Sequence, residues 1–227
     1  MVIVGHLDFG QIISLKASYN GKDIQLIKRN NTAGKVRSFI KSNMIVRNIN
    51  GSGTYNLSYD AENRLVGVSG PSTNASFVYD GDGRRVKATV NGVTTAYIGN
   101  HFEWTGSTST MVKYYYAGGV RVAMRVGSST LYYLFGDHLG STSLSYRSDG
   151  GQTVTQLYKA WGEVRYSSGG LPTKYTFTGQ YSHVADFGLL FYNARWYDPY
   201  LNRWIQPDDI IPDQYNPLDW DRLSSGT

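Results

Sequence analysis

The sequence Tyr59-Asp60-Ala61-Glu62-Asn63-Arg64-Leu65 returns 20 residues later as Tyr79-Asp80-Gly81-Asp82-Gly83-Arg84-Arg85-Val86. Both copies have the form Tyr-Asp-x-x-(Asn or Gly)-Arg, and both follow a segment of alternating apolar and polar residues that is typical of a half-buried strand. An Asp opens a turn by binding its own backbone, and Asn or Gly accepts a positive φ. The pattern therefore predicts two β-hairpins, each with a tight turn at its centre.

The alternation of strand and turn continues along the chain. Asn91-Gly92 is a strong hairpin signal, because both residues accept the positive φ of a type I′ turn. A repeat near 20 residues indicates units that bury their apolar faces only against neighbouring units. Because no segment predicts a helix, we expect an all-β fold, an array of antiparallel hairpins. Weaker echoes of a strand before Gly or Asp lie at residues 114–119, 131–136, 144–151, 156–162 and 175–179.

The hairpins lead into a dense aromatic segment, residues 187–208. Its aromatics cannot all face water, and a buried Tyr or Trp needs a polar partner for its OH or NH. Asp198-Pro199 predicts a turn, since proline disfavours the helical region for the residue before it. We expect two aromatic strands folded back across this turn, which dock on the hairpins as a plug. The aromatic residues are Phe187, Phe191, Tyr192, Trp196, Tyr197, Tyr200 and Trp204.

Composition limits the class of protein. Only 17% of the 227 residues are charged, whereas 26 are Gly and 19 are Tyr, a balance that suits strands joined by tight turns. The chain contains no Cys, which excludes disulfides and thiolate metal ligands. No apolar run reaches the roughly 20 residues of a membrane span, and the first residues lack the basic region of a signal peptide. We expect no membrane span, and any export signal to lie in a longer parent protein.

Positive charge is confined to the N-terminal part of the chain. Residues 1–50 carry eight Lys or Arg against two Asp, a net charge of +6, while residues 51–227 carry −1. A basic patch for nucleic acid is one interpretation. Because aromatics such as Tyr19 and Phe39 are sparse in this part, we expect instead two or three weak strands, or a disordered leader, and no nucleic-acid partner.

Two motifs and the histidines suggest chemistry, but each has a simpler structural interpretation. Gly81-Asp82-Gly83-Arg84 lacks the Lys-Ser/Thr and the following helix of a phosphate loop. Asp137-His138 could form an acid–base pair, although a histidine within a turn is the simpler arrangement. The histidines show no ligand spacing, so we expect no metal and no cofactor. They are His6, His101, His138 and His183.

Five blocks, in the same order, resemble the Rhs/YD-repeat family. The Tyr-Asp units at 59–65 and 79–86 resemble its YD repeats. Residues 135–142 resemble the Asp-His-Leu-Gly-Ser block of the Rhs repeat-associated core domain. Residues 158–163 resemble its Tyr-x-Pro-x-Gly block, with Ala160 in place of the proline. The closing motif of the core is matched by residues 177–180 and 188–199.

The resemblance implies an architecture and a function. It implies a basic N-terminal segment outside the family (1–50), YD-repeat β-hairpins (51–134), a truncated Rhs core domain (135–221) and a tail (222–227). Family members form a hollow β-shell that encapsulates a C-terminal effector, often a polymorphic toxin. The expected partners are therefore the remainder of the shell or an effector, and the expected location is secreted or cell-surface, as part of a larger parent.

The family also implies an autoprotease and a carbohydrate binder as alternatives. Its aspartyl autoprotease uses an Arg, an Asp thirteen residues later and an Asp in an Asp-Pro-x-Gly motif; Arg195 and Asp208 match the first two. Two carboxylates must share a proton, and the third motif is missing, so we expect a structural segment rather than an enzyme. A buried ion pair is then the expected role of Arg195 and Asp208. Glycans could stack on exposed aromatics such as Tyr132, Tyr133 and Trp161, for which packing between layers is the simpler interpretation.

Overall fold

The fold is all-β and antiparallel, as the hairpin signals predict. The computed structural model describes residues 2–5, 13–19, 22–28, 43–49 and 53–207. Helical structure in these residues is limited to one four-residue helix, α1 (Val184–Phe187), and a 3-10 turn at Phe177–Gly179, neither of which was predicted. No helix of the described residues is long and apolar enough to cross a membrane.

The chain forms two compact units, and the boundary between them falls within a strand, β7. The first unit comprises residues 1–76 and 202–227, and the second comprises residues 77–201. In the first unit the strands are β1 (Val2–Gly5), β2 (Ile13–Tyr19), β3 (Lys22–Lys28), β4 (Val46–Ile49), β5 (Gly53–Tyr59), β6 (Leu65–Ser69), the start of β7 (Asn74–Tyr79), and β20 (Arg203–Trp204). Strands β1 to β7 pair in chain order.

The second unit contains a hairpin array and a small sheet. The array, residues 77–167, continues from β7 through β8 (Arg85–Val90), β9 (Val93–Ile98), β10 (Phe102–Trp104), β11 (Val112–Ala117), β12 (Val120–Val126), β13 (Thr130–Gly136), β14 (Thr142–Arg147), β15 (Thr153–Tyr158) and β16 (Val164–Ser167). We call residues 175–198 the closing segment; its strands are β17 (Tyr181–His183), β18 (Leu189–Tyr192) and β19 (Arg195–Asp198). Both parts are meanders in chain order.

Polar contacts in the first unit connect Met44, just before β4, with Tyr59 of β5 and with Ile205, just after β20. Four strands, β1 to β4, lie within residues 1–50, one more than the sequence suggested. The Tyr59 hydroxyl donates to the Met44 carbonyl at 2.7 Å, and the Met44 amide donates to the Ile205 carbonyl at 2.8 Å. Residues 205–206 therefore belong to the same packed unit as β4 to β6.

The Tyr-Asp repeats form one recurring five-residue turn. The Asp60 amide donates to the Arg64 carbonyl at 3.0 Å, and the Asp60 carboxylate accepts the Arg64 amide at 2.8 Å. Asp80 and Arg84 repeat both bonds at 2.9 and 2.8 Å. The fourth residue of each turn has a positive φ, 69° in Asn63 and 78° in Gly83. Both predicted hairpins are confirmed, and so is the Asn91-Gly92 turn between β8 and β9.

The same turn occurs three more times in the second unit. In residues 137–141, 159–163 and 176–180, as in the Tyr-Asp turns, the amide of the first residue donates to the carbonyl of the fifth, and the amide of the fourth donates to the carbonyl of the first. At the first of these, the Asp137 carboxylate accepts the amides of Leu139 and Ser141, both at 2.9 Å, while His138 is exposed. The Asp137 side chain thus serves the turn, while His138 lies in the turn with its side chain exposed.

One face of the array is covered and the other is exposed. Tyr114, Met124 and Leu134 form a buried cluster on the covered face, and Tyr132 and Tyr175 pack against it. On the opposite face, Tyr133 lies directly across from Tyr146, and both are exposed. Trp161, in the turn after β15, is also exposed. Of the three aromatics considered for sugar stacking, Tyr133 and Trp161 are therefore accessible and Tyr132 is half-buried.

The chain reverses direction three times in and just after the closing segment. The first reversal, between β17 and β18, passes through α1 and Gly188, whose φ is 87°. The second is at Asn193-Ala194, where Asn193 has a φ of 58° and Tyr192 pairs with Arg195. Neither of these two was predicted. The third is the predicted turn at Asp198, whose carboxylate is fully buried and accepts the amides of Tyr200 at 3.0 Å and Leu201 at 3.2 Å. The last two reversals are local, since Asn accepts a positive φ and Asp caps a turn.

Candidate functional site

The closing segment meets the hairpin array around the side chain of Arg85. Arg85 begins β8 and is 9% exposed. Its guanidinium carbon lies 4.5 Å from the ring centre of Tyr97 in the array, and 4.5 and 4.2 Å from those of Tyr181 and Phe191 in the closing segment. A cation this close to three ring faces gains cation–π stabilisation of about 2 kcal/mol or more when it is desolvated. We call this arrangement the arginine box.

The two Tyr-Asp units differ at this position, which is apolar in the first unit and charged in the second. Arg85 occupies the place that Leu65 has in the first Tyr-Asp unit, and Leu65 is fully buried. Burying a charge is costly unless polar or aromatic groups compensate it. The second repeat therefore has a cation at this buried position, and groups of the closing segment compensate its charge.

A chain of polar side chains continues from Arg85 into the closing segment. Arg85 Nη1 lies 3.1 Å from His183 Nε2, and His183 Nδ1 lies 2.8 Å from Asp186 Oδ2. Lys174 Nζ donates to the same carboxylate at 3.2 Å. Because an arginine can only donate, Nε2 of His183 accepts, and Nδ1 carries the proton that is donated to Asp186.

The two titratable groups of this chain have shifted pKa values. The pKa of His183 is lowered to about 4, chiefly by burial and also by the Arg85 charge, against the opposing effect of Asp186. Burial by itself raises the pKa of Asp186, but the His183 hydrogen bond and the Lys174 charge outweigh it and lower this pKa overall. At neutral pH the His183 imidazole is therefore neutral and lies between the Arg85 guanidinium and the Asp186 carboxylate.

Trp196 fills the apolar side of the site. Its indole is 1% exposed, and its ring centre lies 4.8 Å from that of Phe77 and 4.9 Å from that of Phe191. The ring of His183 lies 5.5 Å away. The indole NH donates to the hydroxyl of Tyr79, at 3.4 Å. Packing of this kind excludes water from the His183 imidazole, which strengthens its hydrogen bonds.

Four tyrosines join the array to the closing segment beside the arginine box. Two rings of the closing segment lie between two rings of the array, in the order Tyr97, Tyr181, Tyr175 and Tyr114. Successive ring centres are 5.5, 5.2 and 5.0 Å apart, and each pair meets edge to face. This geometry is favoured by aromatic quadrupoles and adds about 0.5–1.5 kcal/mol per pair beyond the burial of area.

A second arginine lies at the far end of this tyrosine ladder. The guanidinium carbon of Arg121 is 3.4 Å from the ring centre of Tyr175, and Nη2 donates to the Tyr116 hydroxyl at 2.8 Å. Glu103 is buried in the same region and accepts the Tyr114 hydroxyl at 3.0 Å. Burial raises the pKa of Glu103, although Tyr114, Arg85 and Arg121 each lower it.

Backbone bonds add a further link near the turn at residues 137–141. The Thr142 amide donates to the Thr176 carbonyl at 3.1 Å, and the Thr142 hydroxyl donates to the Tyr175 carbonyl at 2.8 Å. Ser141 Oγ accepts the Thr178 amide at 3.0 Å. The block at residues 135–142 thus anchors the start of the closing segment.

The arrangement is suited to docking two parts of the unit. Its charged groups are engaged with rings, with one another or with hydroxyl groups. In the part of the chain that the structure describes, no group of three or more His, Cys, Asp or Glu could hold a metal ion. Of the histidines, His6 lies outside that part, and His101 and His138 are exposed.

Of the predicted site residues, the described structure includes Arg195 but not Asp208. Arg195 begins β19, is half-buried and pairs across from Tyr192. Asp208 lies outside the described residues, as do Asp209 and Asp213. Sequence reasoning missed Arg85 and His183. The signal for Arg85 was present, as a cation at the repeat position that Leu65 fills.

No protein-family model matches the sequence, and no curated protein matches it. Among solved structures, the chain is similar to the crystal structure of TcdB2-TccC3-Cdc42, with a TM-score of 0.58, 18% identity and 98% of this chain covered. It is also similar to TcdB2-TccC3 (0.59, 18%, 91%) and to TcdB2-TccC3-TEV (0.60, 17%, 98%). The chain spans 12% of the length of each matched chain. At this identity the similarity shows a shared fold.

Proposed function

We propose that the chain is a structural segment of an Rhs/YD-repeat β-shell, with the closing segment as the plug of its core domain. The observation that carries the proposal is the arginine box, in which rings of the array and of the closing segment enclose the same guanidinium. If the closing segment were a separate domain, it would have its own core. Instead, the array and the closing segment each bury side chains of the other. The fold shared with TcdB2-TccC3 supports the same assignment.

In this proposal the whole parent protein encloses a C-terminal effector, and this chain supplies part of the wall. The partners are the rest of the shell and the effector polypeptide, and the parent acts outside the cell or at its surface. The chain spans 12% of the matched chains, so enclosure is a property of the parent rather than of these 227 residues.

Protease protection tests the enclosure. In a parent chain that carries the complete shell, a reporter domain placed downstream of the closing segment should resist proteinase K. Arg85→Ala should expose the reporter because it opens the arginine box, while the neighbouring Arg84→Ala, whose side chain is exposed, should leave it protected. A reporter that is digested at the same rate in the unmodified parent and in free solution would contradict enclosure.

The second candidate is an aspartyl autoprotease, which rests on the match of Arg195 and Asp208, thirteen residues apart, to the family motif. It requires Asp208 as one carboxylate and a neighbour such as Asp209 or Asp213 as the other. A carboxylate pair sharing one proton is the chemical requirement.

Intact mass over time between pH 4 and 7 separates the two candidates. We expect the mass of the purified chain to stay constant, because the structural role needs no bond cleavage. The comparison is with Asp208→Asn under the same conditions. A discrete product that forms from the unmodified chain and is missing from the variant would establish the autoprotease instead.

A further inference from the structure

His183 is the polar link between the array and the closing segment. Its Nε2 accepts from Arg85 of β8 at 3.1 Å, and its Nδ1 donates to Asp186 of α1 at 2.8 Å. The ring is stacked on Phe187, with centres 5.0 Å apart, and only 2% of the residue is exposed. Both nitrogens are thus engaged in a site that water does not reach.

Protonation of His183 would turn its attractive contact with Arg85 into a repulsive one. A second proton on the ring must go to Nε2, because Nδ1 already carries one. The nitrogen would then present a donor to a guanidinium that can only donate, and two positive charges would lie about 3 Å apart in a region of low dielectric. The Arg85–His183 bond cannot survive in that state.

We propose that His183 is an acid-sensitive latch, whose protonation breaks the bond to Arg85 and loosens the closing segment from the hairpin array. The inference goes beyond the proposed function and rests on the geometry of residues 77–201 alone. It concerns the pH at which the closing segment separates from the array, and it does not depend on an effector.

The charged neighbours of His183 act in opposite directions. Arg85 from β8 and Lys174, which precedes β17, disfavour a second positive charge; Asp186 from α1 favours it. Glu103 from β10 lies near Arg85 rather than in contact with the imidazole. Burial is the largest influence and holds the pKa of His183 at about 4. The elements β7 and β19 contribute only uncharged rings to this pocket, those of Phe77 and Trp196.

The direction of the pH effect follows from the lowered pKa. A released His183 takes up a proton near pH 6.5, whereas the docked residue does so only near pH 4. The docked state is therefore fully favoured above about pH 6.5, and its advantage declines as the pH falls through this window to about 4. Glu103 opposes the trend, because its raised pKa adds stability at low pH that is lost as the pH rises.

Hydrogen–deuterium exchange across residues 181–198 measures the latch. After correction for intrinsic exchange rates, the opening constant should rise on the order of 100-fold between pH 7 and pH 4. His183→Gln, which can still accept from Arg85 but does not titrate, should reduce this rise to less than tenfold. His138→Gln removes an exposed histidine as the matched control and should leave the rise unchanged.

Two further measurements keep the proposal falsifiable if His183→Gln disturbs packing. An NMR titration of the imidazole in the unmodified chain should give a midpoint below pH 5, and a midpoint above 6 would overturn the latch. Glu103→Gln should steepen the pH dependence of opening, because it removes the opposing titration. An opening constant that does not change with pH in this variant would also overturn it.

Discussion

Trp196→Ala is expected to lower the free energy of unfolding by about 3–5 kcal/mol, the cost of truncating a large aromatic side chain in a packed core. The indole is 1% exposed and contacts rings from both parts of the second unit, Phe77 in the array and Phe191 in the closing segment. Neither part can close the resulting cavity alone, since each is held by its own strand pairing. Urea denaturation followed by far-UV circular dichroism measures the loss.

Trp161→Ala is the matched control for this change. The same residue type is removed, but Trp161 lies in a turn and is 50% exposed. Its loss should change the free energy of unfolding by no more than about 0.5 kcal/mol. Equal urea midpoints for the two variants would show that the closing segment does not pack on the array through Trp196.

Arg85→Ala is expected to lower the free energy of unfolding by about 2–4 kcal/mol, from the lost cation–π contacts and the cavity inside the arginine box. The change also leaves His183 Nε2 without its donor, and an unsatisfied buried acceptor carries its own penalty. The measurement is again urea denaturation, supported by exchange of the amides of Tyr181 and Phe191. These amides belong to the strands whose rings enclose the guanidinium.

The chain offers a control one residue away. Arg84→Ala removes an exposed side chain of the same type, and its effect should stay within about 0.5 kcal/mol. Arg85→Leu should recover part of the loss, because Leu65 fills the equivalent position of the first repeat. If Arg84→Ala and Arg85→Ala prove equally mild, the box contributes nothing to docking.

The hairpins were predictable from sequence because their turns are local. The Asp60 carboxylate accepts an amide four residues away, and Asn63, Asn91 and Gly92 each adopt the positive φ that their own turn requires. A short stretch of sequence is therefore enough to predict each turn. The same reasoning located the turn at Asp198. It missed the reversal at Asn193 and helix α1, because both lie in a segment rich in aromatic residues that has no Tyr-Asp or Asn-Gly turn motif.

The candidate site was predictable only in part. The aromatic segment was identified as an element that docks on the hairpins, and Trp196 was named within it. The repeat alignment distinguishes Arg85, which takes the place of Leu65, from Arg84, which takes the place of Arg64. The rings that enclose Arg85 could not be identified from the sequence, because they come from distant strands. Arg195 and Asp208 came from a family resemblance, and the second of them lies outside the described structure.

The sequence by itself determined the all-β class, the hairpin turns and the presence of a docking segment. Only the tertiary structure decided that Arg85 and His183 form the buried link. These residues are 98 positions apart, and their bond depends on strands that no local pattern pairs. Turn geometry is stabilised by bonds within a few residues, whereas burial of a cation requires rings that folding brings in from distant parts of the chain.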